Sequence, residues 1–329
     1  MNQFFVGLGI VLLAGICNSS FAIPLKCMKA MKWENAWLSY NAIALVFSPW
    51  LIVALFVHRP GELFGSLSME DYGIALGFGL LWGICQAGFG VAINMLGIAV
   101  ALPVISGIGM VAGSLTPVLV QHPAALLGRF GFVILISFAF LIGGLLLYSR
   151  AAWLRSGKSA ARTTAQSLIL CLIIGIIAGA LNIGFSLSTG IIRRAEVLGS
   201  NPLVATYPVW ALLLTAGLVP NILYCTYLMK KNGTAALFFS TGSRTDIFWV
   251  LLMAVTWVMA TYSYGLSTRF LGILGTSTGY IMYVAFTMLF ANLFGWMAGE
   301  WRGAPHQATR LLWAGMVLLL ASATVLKWA

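Results

Sequence analysis

Apolar runs of about twenty residues follow one another along almost the whole chain, a length that crosses the hydrocarbon of a bilayer when it is helical. They lie near positions 3–24, 36–57, 72–93, 97–120, 126–148, 166–187, 203–227, 247–267, 273–296 and 311–328. Lipid offers peptide groups no hydrogen-bond partner, so each run must satisfy its own backbone, and an α-helix does so within one segment. The expected fold class is therefore an all-α polytopic membrane protein with ten transmembrane helices. Composition agrees: 8% of residues are charged and mean hydropathy is +0.99, against roughly 25% charged residues in soluble domains. The first run has no basic leader and no cleavage site followed by a polar mature chain, so it is read as a helix and not as a signal peptide.

The runs divide into two related halves. Trp82 to Gly97 (WGICQAGFGVAINMLG) and Trp257 to Gly272 (WVMATYSYGLSTRFLG) both read W-x7-G-x5-L-G, at an offset of 175 residues. Earlier in each half, Gly15, Asn18 and Phe21 recur as Gly179, Asn182 and Phe185. Each half holds an odd number of spans, so the second copy enters the membrane from the opposite side. The expected organisation is two inverted five-helix repeats, 1–150 and 166–329, joined by a polar cytoplasmic linker at 151–165 (AAWLRSGKSAARTTA). Secondary transporters of this architecture bind substrate at mid-membrane between the repeats.

The formal charge of +11 is spread over the loops and not gathered into a nucleic-acid patch. On the side of the first loop stand twelve basic residues: Lys26, Lys29, Lys32, Arg150, Arg155, Lys158, Arg162, Lys230, Lys231, Arg244, Arg302 and Arg310. Six stand on the other: Arg59, Arg129, Arg193, Arg194, Arg269 and Lys327. The excess marks the cytoplasmic side and puts both termini outside, or periplasmic in a bacterial inner membrane. Polar stretches at 151–165 and Lys230–Asp246 read as cytoplasmic loops. Pro49, Pro103, Pro208 and Pro220 fall inside spans, where each removes a backbone donor.

No clustered His, Asp or Glu is present to suggest a membrane-embedded enzyme. The five cysteines show no C-x-x-C pair and lie beside no His at ligand spacing, and His58, His122 and His306 fall at span ends. Nothing requires a metal or another cofactor.

Polar side chains inside spans are costly in hydrocarbon unless paired or turned to a cavity. Trp82 and Gln86 share a helical face, and their repeat partners Trp257 and Thr261, with Tyr264 a turn further, form a similar one. Asn18 and Asn182 match in the first helix of each half, and Tyr280 joins from the ninth. Amides bind hydroxyls as donors and acceptors, and aromatic rings cover C–H faces. The candidate substrate is a neutral sugar or polyol, bound by Asn18, Trp82, Gln86, Asn182, Trp257, Thr261, Tyr264 and Tyr280. No charged residue lies near the centre of a span, so proton coupling would rest on an acid at a helix end, Glu300 first and Glu34 second.

Several stretches together resemble the L-rhamnose-proton symporter family of the drug/metabolite transporter superfamily. They are KAMKWENAW at Lys29–Trp37, Pro49-Trp50, the run from Trp82-Gly83-Ile84 through Leu96-Gly97 to Gly113-Ser114-Leu115-Thr116-Pro117, Asn201-Pro202-Leu203, Asn221, Trp257, Tyr280-Ile281 and Glu300-Trp301. The resemblance covers nearly the whole chain and implies uptake of L-rhamnose or a related deoxy sugar with a proton. The alternative is an exporter or facilitator of the same superfamily for another small polar substrate. The family pattern implies an Asp before the Tyr-Ile pair and a His about two turns on; this chain has Gly279 and, near the second place, Phe286.

Overall fold

The apolar runs are helices in the computed structural model, which describes residues 2–96, 98–156, 165–240, 242–272 and 275–328. Helix α1 is Asn2–Ser20, ending in a 3-10 turn at Ile23–Cys27. Helix α2 (Trp33–Asn41) passes through a π-helical stretch, Ala42–Phe47, into α3 (Ser48–Phe56). The wide turn precedes Pro49, whose ring would otherwise press on the carbonyl one turn back. After the short α4 (Pro60–Gly65) come α5 (Met69–Leu96), α6 (Ile98–Gln121) and α7 (Arg129–Ser156). The second half runs α8 (Ala165–Ala178), α9 (Ala180–Leu187), α10 (Thr189–Val197), α11 (Tyr207–Asn232), α12 (Ser243–Thr268), α13 (Gly275–Met297) and α14 (His306–Val325).

Among the described residues, every regular element is helical and nine stretches are long and apolar enough to cross a membrane. Helix α5, 28 residues long and acidic in its first turn at Glu70 and Asp71, stands beside these nine. Several boundaries differ from those read along the sequence. Pro208 sits in the first turn of α11, where the missing N–H costs nothing, whereas Pro220 is inside that helix. The polar stretch Lys230–Asp246 is a loop only in its middle: α11 runs on to Asn232, α12 starts at Ser243, and the link at 233–242 carries a 3-10 turn at Ala235–Phe239. In the 151–165 stretch, residues up to Ser156 continue α7 and Ala165 opens α8. Positions 157–164, with Lys158 and Arg162, lie outside the described residues, as does Gly97.

Packing is exchanged between the halves. Helix α1 lies against α12 and α13, while α8 and α9 lie against α5 and α6. Helix α5 packs on α11, α12 on α2, and α7 on α14. Small residues permit the closest approaches. A Cβ on Gly83 would stand 2.4 Å from the Gly217 carbonyl oxygen, so α5 and α11 meet backbone to backbone. The matched Gly15 and Gly179 do the same work: a Cβ would stand 2.5 Å from Phe286 Cβ of α13 in one case and 2.6 Å from the Gly113 nitrogen of α6 in the other.

The helix ends gather into two polar faces. On one, Lys26 pairs with Glu300 at 2.8 Å and Arg155 with the same carboxylate at 3.6 Å. There also Glu34, 5% exposed, accepts bonds from Thr234 at 2.7 Å and Asn232 at 3.0 Å. This is the basic face. On the far face Arg59 pairs with Glu62, Arg269 with Glu196, and Arg194 donates to Ser66.

Candidate functional site

Between the two faces lies a cavity walled by both halves. Its upper compartment, about 170 Å³, is lined by Asn18, Trp82, Gln86, Asn182, Trp257, Thr261, Tyr264 and Tyr280, with Ala178, Leu181, Trp210 and Tyr283. The structure thus brings the eight candidate binding residues around one space. A second compartment of about 300 Å³ shares Asn18, Trp82, Gln86, Trp257, Tyr280 and Tyr283 and extends to Ser106, Thr287 and Met288. No charged side chain lines either compartment among the described residues.

The wall is built where the repeated pattern meets itself. Trp82 of α5 and Trp257 of α12 stack with ring centroids 5.9 Å apart and 23° between planes. One turn further, Gln86 and Thr261 make no side-chain hydrogen bond among the described residues, so their polar atoms are available to a solute. Asn18 makes one long bond, from its Nδ2 to Thr287 Oγ1 at 3.3 Å. The indole N–H of Trp210 is buried and without a partner among the described residues.

Other candidates are committed to protein partners. Asn182 donates to the Gly113 carbonyl at 2.8 Å and to the Thr276 carbonyl at 3.3 Å, and its oxygen accepts the Tyr264 hydroxyl. Tyr264 also reaches the Thr276 carbonyl at 3.1 Å. Ser186 bonds Thr276 Oγ1 at 3.0 Å, and Gln121 donates to the Ser186 carbonyl at 2.8 Å. The helix breaks just before Asn182, at Gly179, and this offset lets the amide reach across to α6 and to the start of α13. Thr276, Ser186 and Gln121 line a vestibule of about 490 Å³ on the far face. One polar lattice therefore separates vestibule from cavity.

Toward the basic face the cavity ends in rings. Tyr40 meets Trp257 edge-on at 6.2 Å, stacks on Phe21 at 5.7 Å and contacts Trp37 at 5.2 Å. Trp37 donates its indole N–H to Asn221 at 3.2 Å. Beyond the rings lie the carboxylates of the basic face. Neither Glu34 nor Glu300 lines the cavity: Glu34 is held by Asn232 and Thr234, and Glu300 sits in its ion pairs at the surface.

Residues missed along the sequence include Tyr283, Thr287 and Trp210. The first two had a signal, since Tyr280, Tyr283 and Thr287 follow at i, i+3 and i+7 on one face of α13. Trp210 had none. Of the two positions that depart from the family pattern, Gly279 is buried with Leu271 and Tyr264 beside it, and Phe286 fills the space against Gly15.

Comparison with known proteins covers the whole chain. A family model described as L-rhamnose-proton symport protein matches residues 1–328. A protein named L-rhamnose-proton symporter from Yersinia pestis (strain Pestoides F) is 23% identical over 341 residues, covering 99% of this chain and 98% of the relative. One of the same name from Shigella boydii serotype 18 is 22% identical over 335 residues, covering 98% and 97%.

Proposed function

The chain belongs to the L-rhamnose-proton symport protein family, a family of transporters and not of enzymes, and from that premise we propose that it carries a neutral sugar inward with a proton by alternating access. The relatives' names favour L-rhamnose or a similar deoxy sugar. The observation that carries the reading is the uncharged cavity, where stacked indoles stand beside uncommitted amide and hydroxyl groups. Such a wall suits a solute with hydroxyls on its edges and C–H groups on its faces. A charged solute would find no counter-charge there.

With α5 counted beside the nine apolar spans, the fold reads as ten transmembrane helices in two inverted repeats. The exchanged packing of α1 with α12 and α13, and of α8 and α9 with α5 and α6, supports this pairing. The basic face is the cytoplasmic one by charge, which places both termini outside, in a bacterial inner membrane. Sugar enters by the far-face vestibule, lodges against Gln86, Thr261, Asn18 and the two indoles, and leaves past the rings of the basic face. Asn182 and Tyr264 close the passage behind it. The proton is carried by Glu300, whose carboxylate ties Lys26, beyond α1, to Arg155, at the end of α7. Protonation removes the charge that holds both and loosens the basic face. Glu34 is the second choice.

Uptake of radiolabelled sugars by cells expressing the protein, with and without an uncoupler, tests the reading. Accumulation that collapses with the uncoupler is expected. Equilibration without accumulation would make the protein a facilitator, and net efflux against a gradient an exporter. Gln86→Ala should weaken sugar binding about tenfold, since a buried hydroxyl left unpaired costs about 1 to 3 kcal/mol. Glu300→Gln should abolish accumulation while leaving exchange of labelled for unlabelled sugar intact; accumulation that survives it moves the proton elsewhere.

A further inference from the structure

The repeat offset extends to a motif that the cavity does not use. Ser68-x-x-Asp71 opens α5 and Ser243-x-x-Asp246 opens α12, again 175 residues apart. The two copies are bonded differently. In the first, Ser68 and Asp71 cap each other: the Ser68 amide and hydroxyl reach Asp71 Oδ2 at 3.1 and 2.7 Å, and the Asp71 amide reaches Ser68 Oγ at 3.1 Å. In the second, Ser243 turns to Leu237 and Ser240, and Asp246 crosses to the other half. There Asp246 Oδ1 accepts the Lys29 amide at 3.1 Å, and Oδ2 accepts those of Ala30 and Met31 at 2.8 and 2.7 Å. It is 2% exposed.

Asp71 also lies against the other half. Its Oδ1 would be 2.1 Å from a Cβ on Gly190, in the first turn of α10, the segment that follows α9 as Lys29–Met31 follows α1. We propose that these aspartates are matched positioning residues for transport: each alternates between capping its own helix and clasping the segment that follows the first helix of the opposite half. The proposal rests on the alternating-access reading above. In the state described here the basic-face clasp is made and the far-face clasp is unmade. A carboxylate shared by three backbone N–H groups makes strong, charge-assisted bonds, and the switch to self-capping replaces part of them. The exchange therefore leaves no buried charge bare in either state.

The test uses the full-length protein in oriented membrane vesicles, with the five native cysteines replaced and a reporter Met288→Cys in the second compartment, probed with a membrane-impermeant maleimide. Asp246→Asn turns an acceptor into a donor facing other donors, so labelling from the basic face should rise at least about tenfold as the population shifts. Asp71→Asn should hold that labelling low and block its rise when sugar is added. Asp246→Glu should restore part of the low labelling. Unchanged labelling in Asp246→Asn, or shifts of the same sign in both aspartate variants, would overturn the proposal. Labelling without sugar is independent of which solute is carried, so failure of the sugar reading shows separately, in the uptake panel. If Asp246→Asn does not fold, Asp71→Asn decides: sugar-dependent labelling as in the parent overturns the clasp.

Discussion

The two ends of the cavity are closed by different materials. Toward the far face stands a single lattice of hydrogen bonds among Tyr264, Asn182, Thr276, Ser186 and Gln121. Toward the basic face stand packed rings, Tyr40 with Phe21, Trp37 and Trp257, backed by buried carboxylates. Water can replace a hydrogen bond at little net cost, because the bonds lost are remade with solvent. It cannot replace ring-to-ring contact, whose surface it would have to wet. A lattice can thus open by small side-chain movements, while a plug of rings opens only when helices move apart.

Three substitutions sharpen or break that contrast, in falling order of effect. Trp257→Ala takes away the ring on which both Trp82 and Tyr40 rest. Loss of a buried aromatic costs about 3 to 5 kcal/mol, so thermal denaturation in detergent should come markedly earlier and transport should be lost. If the protein melts as before, the rings are not the seal. Tyr264→Phe leaves the Asn182 oxygen unpaired, at about 1 to 3 kcal/mol. Here the fold should persist, and a cysteine at Thr261 should label faster from the far face; equal rates would mean that the lattice is not the barrier. Lys26→Ala removes an ion pair whose lysine is 70% exposed, and such pairs are worth at most about 1 kcal/mol. Stability should hardly change, because the proposed part of this pair is in coupling; a large loss would mean that the pair carries more of the fold than its exposure allows.

The helical class was readable because hydrocarbon forces each apolar run to bond to itself. Boundaries were less readable where polar and apolar residues mix: Lys230 and Lys231 extend α11 although their charge suggests a loop, since a lysine at a helix end meets both water and the favourable end of the dipole. Gly179 is marked by its match to Gly15, but the match foretells no break, because α1 runs unbroken through Gly15, and the use of the break depends on α6 standing alongside. Trp82, Gln86, Trp257 and Thr261 could be grouped beforehand because a repeat relates them. The division of labour within the group could not. Whether an amide is spent, as at Asn182, or unspent, as at Gln86, depends on carbonyls far away in sequence. The Asp246 clasp was hidden for a related reason, because its partners are backbone N–H groups and any residue carries those.

The stacked Trp82 and Trp257 sit where the proposed two-fold relation would map each ring onto the other. A surface that meets its own copy must be self-complementary, as in an isologous dimer interface, and flat rings satisfy that demand with any partner ring. One turn away the copies have diverged into the long amide of Gln86 and the short hydroxyl of Thr261. The cavity is consequently symmetric in its stacked indoles and polarised in the donors and acceptors beside them. A solute lodged there finds one deep end and one shallow end, and a chiral molecule fits in a single sense. Exchanging the two residues, as Gln86→Thr with Thr261→Gln, reverses that sense while leaving the indoles in place.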